Sequence, residues 1–234
     1  MKQILGIITI ATMVALAVLL GNGTAFGQET GKLDVNLTNV VELRLDVSCS
    51  LVLSQGTKPM LSIVTKKGLM SEVTTSVEGT QVIIKRDNRD QEREDVTVYI
   101  TLPKLEKIKI SRDVKLNTTN MLTLESLEIK VNGVLSGNLS VTTSTLDIQS
   151  NGVLKLTANG SADMLSLDMP GVGNADMLNL KAKKAKVEVN GVGNAMVNVE
   201  EFLEADVNGV GKISYKGHPQ LKVKVSGIGN IKEI

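Results

Sequence analysis

The sequence has no tryptophan, and Phe26, Phe202, Tyr99 and Tyr215 are its entire aromatic stock. A surface that stacks sugar rings or bases on aromatic faces is therefore not on offer, and the core must be aliphatic. There is one cysteine, Cys49, which excludes an internal disulfide. It stands far from the N-terminal hydrophobic run, so the usual lipid-attachment arrangement is missing; within LDVSCSLVL it reads as a small buried strand residue. There is one histidine, His218, in Lys-Gly-His-Pro. Without clustered partners it makes no zinc site, and it reads as an exposed turn residue. An apolar stripe at helical spacing is also missing, which excludes a helix of normal length after residue 27.

Net charge is missing too. The chain has 26 Lys and Arg against 25 Asp and Glu, and removing Lys2 leaves 25 of each. Such balance argues against a nucleic-acid partner, which requires a basic face. Long hydrophobic runs are confined to the N-terminus. Lys2 precedes Ile4–Leu20, a polar break follows at 21–23, and Ala25-Phe26-Gly27 places small residues where a signal peptidase reads. This plan predicts a signal peptide at 1–27 and a mature domain at 28–234 with no membrane span. The expected location is periplasmic, outer-surface or secreted.

What the sequence does have is a repeat. Glycines close strand-like runs at Gly133, Gly152, Gly171, Gly191, Gly209 and Gly227, in steps of 19, 19, 20, 18 and 18 residues. Asn precedes four of them (Asn132, Asn151, Asn190, Asn208), Pro170 and Ser226 the other two. The text before each glycine alternates apolar and polar: 127–131 LEIKV, 146–150 LDIQS, 165–169 LSLDM, 185–189 AKVEV, 203–207 LEADV and 221–225 LKVKV. Period-two alternation is a strand with one dry and one wet face. A second, weaker strand follows the glycines, as at 138–142, 154–157, 195–199 and 212–215. Each copy would be one coil of a parallel solenoid, stacking equivalent residues about 4.8 Å apart. Leu127, Leu146, Leu165, Leu203 and Leu221 then form an inward column. Asn-Gly belongs at the corners, with glycine at positive φ and the asparagines forming a ladder. An antiparallel meander also fits Asn-Gly between alternating runs.

Residues 33–104 are β-rich but irregular, with runs at 33–37, 41–47, 51–53, 60–64, 82–84 and 96–100. The charge block at 85–95 reads as an exposed loop. A 19-residue offset would set Ile108 against Leu127 and Ile110 against Ile129, so regular coils are expected over 105–234, capped by the irregular part.

No catalytic, cofactor-binding or metal-binding residue is assigned. Gly-Val-Gly-Asn at 171–174 and 191–194 lacks the text and the following helix of a phosphate loop. The acids Asp147, Asp168, Glu188, Glu204 and Asp206 fall on the outward face. They suit either a solvated strand face or, as an alternative, a polysaccharide-acting enzyme using carboxylates on a β-helix flank.

The text 171–177 (GVGNADM), 190–195 (NGVGNA) and above all 207–229 (VNGVGKISYKGHPQLKVKVSGIG) resembles a bacterial family described as "putative auto-transporter adhesin, head GIN domain", common in Bacteroidetes. Tyr215, Gly217 and Pro219 match its Tyr-x-Gly-x-Pro turn, and 51–56, 82–84 and 98–103 match its front half. The resemblance covers about residues 38–231. It implies an exported protein with a right-handed β-helix-like fold and carries no catalytic residues. This copy departs by using Val172, Val192, Val210 and Ile228 where Ser is frequent. The expected protein is thus an all-β, right-handed parallel β-helix-like solenoid with coils of about 18–20 residues and a less regular β-rich N-terminal half. Its expected role is a non-catalytic envelope or surface module, adhesin-like, with a glycan or protein ligand. N-terminal sequencing of envelope-fraction protein should read from Gln28; an intact Met1 on a cytosolic protein would refute export.

Overall fold

The structure, a computed structural model, describes residues 28–32, 37–66, 68–86 and 96–234. The proposed signal peptide, most of the 33–37 run and most of the 85–95 charge block lie outside these residues. The strands are β1 (Gln28–Lys32), β2 (Glu42–Asp46), β3 (Cys49–Gln55), β4 (Met60–Lys66), β5 (Val73–Glu78), β6 (Gln81–Arg86), β7 (Val96–Leu102), β8 (Lys107–Ile110) and β9 (Asp113–Thr118). They continue with β10 (Leu122–Val131), β11 (Val134–Ser150), β12 (Val153–Met169), β13 (Val172–Val189), β14 (Val192–Val207), β15 (Val210–Lys216), β16 (Gln220–Val225) and β17 (Ile228–Glu233). A single 3-10 turn at Met70–Glu72 is the helical content of the described residues.

The strands build a parallel β-solenoid. Along a first flank the rungs run β6, β2, β8, β10, β11, β12, β13, β14, β16. Along a second flank they run β7, β3, β9, β11, β12, β13, β14, β15, β17. All of these pairs are parallel, which decides against the meander. Ser166 lies in register with Lys186, one rung apart.

Several expectations need correction, three of them in the coils and corners. The central coils do not hold two separate strands. β11 to β14 are single strands of 16 to 18 residues that run from one glycine corner to the next. They bend where the alternation slips, as at Ser144 and Thr145, both exposed in succession. Parallel pairing continues on either side of such a bend, so no break is needed. Next, Ile108 pairs with Ile129 and Ile110 with Val131, a 21-residue offset rather than 19. A two-residue slip preserves inward and outward faces, so alternation alone does not fix it. Third, the corner glycines are not at positive φ; Gly68, Gly79, Gly137, Gly160, Gly173 and Gly217 are.

The corner needs glycine for a different reason. Val192 N donates to Gly171 O, Val210 N to Gly191 O and Ile228 N to Gly209 O, each at 2.8–3.0 Å. That same carbonyl sits where the next glycine would carry a Cβ: Gly171 O lies 1.8 Å from a Cβ built on Gly191. The collision is with backbone, which cannot swing aside.

The N-terminal half contains coils of its own. β2–β3 and β6–β7 are full parallel rungs, so 33–104 is more than a cap. β5 pairs antiparallel with β6, β4 with β7 and β1 with β4, and these reversed strands cover that end. The β2–β3 coil, first in the chain, is sandwiched between β6–β7 and β8–β9.

The core is one aliphatic column system. Leu127, Leu146, Leu165 and Leu203 are 0–1% exposed, and Ala185 is buried in the same column. Leu221, expected to join them, is 47% exposed because β16 is the last rung described on its flank. Cys49 is buried, and burial pushes its thiol up to about 12, as an inert core residue requires. Each buried leucine contributes about 1.5–3 kcal/mol.

Leu165→Asp should unfold much of the C-terminal half, since an unpaired charge would sit in mid-stack. Gly191→Ala should cost about 3 kcal/mol through backbone overpacking. Ser166→Asp, on the wet face, should stay within about 0.5 kcal/mol. Denaturant melts of the three give the order; a harmless Gly191→Ala would refute the corner contact.

Candidate binding surfaces

The outward positions of the first flank form columns. One reads Gln81, Glu42, Lys107, Glu128, Asp147, Ser166, Lys186, Glu204, Lys222 from rung to rung. Its neighbour reads Arg44, Lys109, Lys130, Gln149, Asp168, Glu188, Asp206, Lys224. Signs largely alternate down the first column because each strand was built polar-out and opposite charges at rung spacing attract. Lys107 pairs with Glu128, Lys130 with Glu128 at 2.7 Å, Lys186 with Glu188 at 3.2 Å and Lys222 with Glu204 at 2.9 Å.

The five outward acids of the sequence are all found here, spread over four rungs on an open, flat surface. Among the described residues the one aromatic side chain on this face is Phe202, half-buried in the column next to Glu204, and a single ring does not wall a groove. Burial raises the Glu128 carboxyl, but hydrogen bonds from Lys107 and Lys130 outweigh it and hold the group below its usual range. Lys222 holds Glu204 down in the same way. A general acid needs the opposite displacement. The geometry is therefore that of a charged plate.

Asparagines line the glycine corner. Asn151 donates to Asn132 at 3.0 Å and Asn208 to Asn190 at 2.9 Å. The ladder breaks at Pro170, and Asn190 turns to Asp168 at 2.9 Å instead. A second ladder, Asn194 to Asn174 at 2.9 Å, runs beside it. His218 is 94% exposed, its Nδ1 3.4 Å from Glu233. No group of acids, His and Cys able to hold a metal occurs among the described residues.

Two further surfaces carry no acid, histidine or cysteine motif that would mark them in the sequence. An open groove of about 360 Å³ runs along the bend opposite the glycine corner. Thr123, Thr142 and Ser161 enter it in register from three successive rungs, and Lys183 bridges to Asp163 at 2.7 Å on its rim. Burial leaves Thr143 Oγ only intramolecular acceptors, Glu125 O and Thr145 O, both at 3.0 Å, so it shapes the wall. The second surface is a ridge of β-branched side chains just past the glycines. The signal for both was in the sequence: positions 123, 142 and 161 are 19 apart.

These surfaces define an elongated β-solenoid with repetitive, open faces. The chain belongs to the family described as "Putative auto-transporter adhesin, head GIN domain", whose model matches residues 39–219. It is similar to a solved structure described as a "putative adhesin" from Bacteroides fragilis, at 26% identity and a TM-score of 0.82, covering 92% of this chain and all of that one. A "putative adhesin" from Parabacteroides distasonis has the same fold at 19% identity and TM-score 0.68, over 88% of this chain and 97% of that one. A "putative lipid binding protein" from the same species does so at 19% and 0.65, over 90% and 98%. No curated protein matches the chain. No helix among the described residues is long and apolar enough to cross a membrane.

The charged plate makes a pH prediction. Glu128 is held below its unbound value of 4.5, so its pairs stabilise the fold above that pH and lose their effect as pH falls through the lower folded value. Wild type should exceed Glu128→Gln by under about 1 kcal/mol at neutral pH, a gap that closes once the carboxyl is protonated in both states. Melts at neutral and strongly acid pH measure it; a gap that persists in acid would refute the ionic origin.

Proposed function

We propose that the protein is an exported, non-catalytic module of the cell envelope or cell surface that holds a surface ligand, glycan or protein, against its strand faces. Family membership supports the adhesin-like part of this reading. The observation that carries it is the groove at the bend, where hydroxyls recur in register and a lysine–carboxylate pair sits on the rim. A linear chain of repeating polar units meets such a groove with matched spacing, and hydroxyl–hydroxyl hydrogen bonds need no deep pocket. The proposed location is periplasmic, outer-surface or secreted, reached through the segment at 1–27.

The test is a glycan array and an envelope-fraction pull-down, each run with wild type and with Thr142→Val/Ser161→Ala. Both changes lie on exposed or half-exposed wall and leave the core untouched. Binding should fall about tenfold, the loss of one to two net hydrogen bonds. A ligand bound equally by both proteins would move the site elsewhere; turnover of a bound polysaccharide would overturn the non-catalytic reading.

A further inference from the structure

The side chains of the ridge past the glycine corner stand outside the core, although their backbone N–H groups lock the corner. Val134, Val153, Val172, Val192, Val210 and Ile228 stack in register on six successive rungs. Val134 is half-buried, but the others are 43–74% exposed. At about 4.8 Å per rung the line is about 24 Å long. Single exposed valines are ordinary; a straight row of them is a contiguous apolar strip and marks a contact surface. A glycine precedes every one of them and another follows Val172, Val192, Val210 and Ile228, so their chain neighbours add no side chain beside them.

Charge says what meets this strip. The next outward column on the same flank reads Lys115, Ser136, Lys155, Asn174, Asn194, Lys212, Asn230, with lysines and no carboxylate. Lys212 is set beside Lys232, and the two lysines repel: burial first and this neighbour second lower the Lys212 pKa. Such a pair, next to an apolar row, suits an anionic amphiphile. Asp168, Glu188 and Asp206 lie around the corner on the other flank, the last two beside Lys186 and Lys224, and Glu233, next to Lys232 along β17, sits 3.4 Å from His218. Asp113 heads the ridge column one rung before Val134, and Asp176 lies two columns away, its Oδ1 taking the Leu178 N–H. A second copy of the chain would bring the same lysines to the contact, and the ridge column and the lysine column beside it offer Asp113 alone to answer them.

We infer that the valine ridge and its flanking lysines form a docking edge for an anionic phospholipid surface. The row seats among the upper acyl carbons while Lys155, Lys212 and Lys232 meet the phosphates, an arrangement whose strength grows with apolar area and opposite charge together. This edge lies apart from the groove, so the module would rest on lipid by one edge and offer the other to its ligand.

Vesicle flotation tests it, using protein recovered from the envelope and sequenced from Gln28, on phosphatidylcholine vesicles with and without phosphatidylglycerol. Wild type should float with the phosphatidylglycerol vesicles and should be released by salt. Val172→Thr/Val192→Thr/Val210→Thr keeps shape at exposed positions, which circular dichroism and melts verify, and should lose at least tenfold in partition. Lys212→Gln/Lys232→Gln should erase the preference for phosphatidylglycerol. Thr142→Val/Ser161→Ala should float as wild type does, which separates this edge from the groove. No flotation of wild type, or flotation unchanged by the threonine triple, would overturn the inference. So would rapid disulfide dimerisation of Val192→Cys in solution, which would place a second copy on the ridge, Cys49 being buried.

Discussion

At the glycine corner one carbonyl does two things. It accepts the hydrogen bond that fixes the next rung, and it occupies the volume a side chain on the next glycine would need. The rung separation, the register and the requirement for Gly133, Gly152, Gly171, Gly191, Gly209 and Gly227 all follow from that contact. Once the corner is locked, every other column is placed. Leucines fall above leucines in the core, acids fall beside lysines on the plate, and valines fall in line on the ridge. A stack built this way turns each sequence position into a row, so a modest choice at one site becomes a surface property when it recurs.

The regular half of this fold was legible in the sequence because a repeat carries its own register. The inward placement of Leu127, Leu146, Leu165 and Leu203 came directly from period-two alternation and the 18–20-residue step. The failures have physical causes. Positive φ was expected at the corner glycines from their pairing with asparagine, but close approach between rungs, invisible to local sequence, is what selects them. The 21-residue coil that joins β8 to β10 was misjudged by two residues, since such a slip leaves the faces unchanged. The asparagine ladder was foreseen but its interruption was not, because Asp168 reaches Asn190 across the gap that Pro170 leaves.

The surfaces were harder. Composition disfavours a sugar-stacking cleft and a basic nucleic-acid face, and the outward acids lie on the first flank, as their alternation implies. The groove and the ridge are made of Thr, Ser and Val, residues that carry no chemical signature individually. Only their recurrence at coil spacing gives them meaning; in the sequence alone Val172, Val192, Val210 and Ile228 read as a departure from the family's serines.

The position of the β2–β3 coil bears on how the protein takes a load. At the C-terminal end, β17 and then β16 are terminal rungs, each held along one edge, and a pull on that end can strip them one at a time, like a zip. At the other end, behind β1, which β4 holds along one edge, the chain leads into a coil held from both sides, by β6–β7 and β8–β9. A force entering there cannot peel that coil alone; it must shear two sets of parallel hydrogen bonds at once. Once β1 has parted from β4, a tether through the N-terminus would therefore hold under tension that unravels the opposite tip.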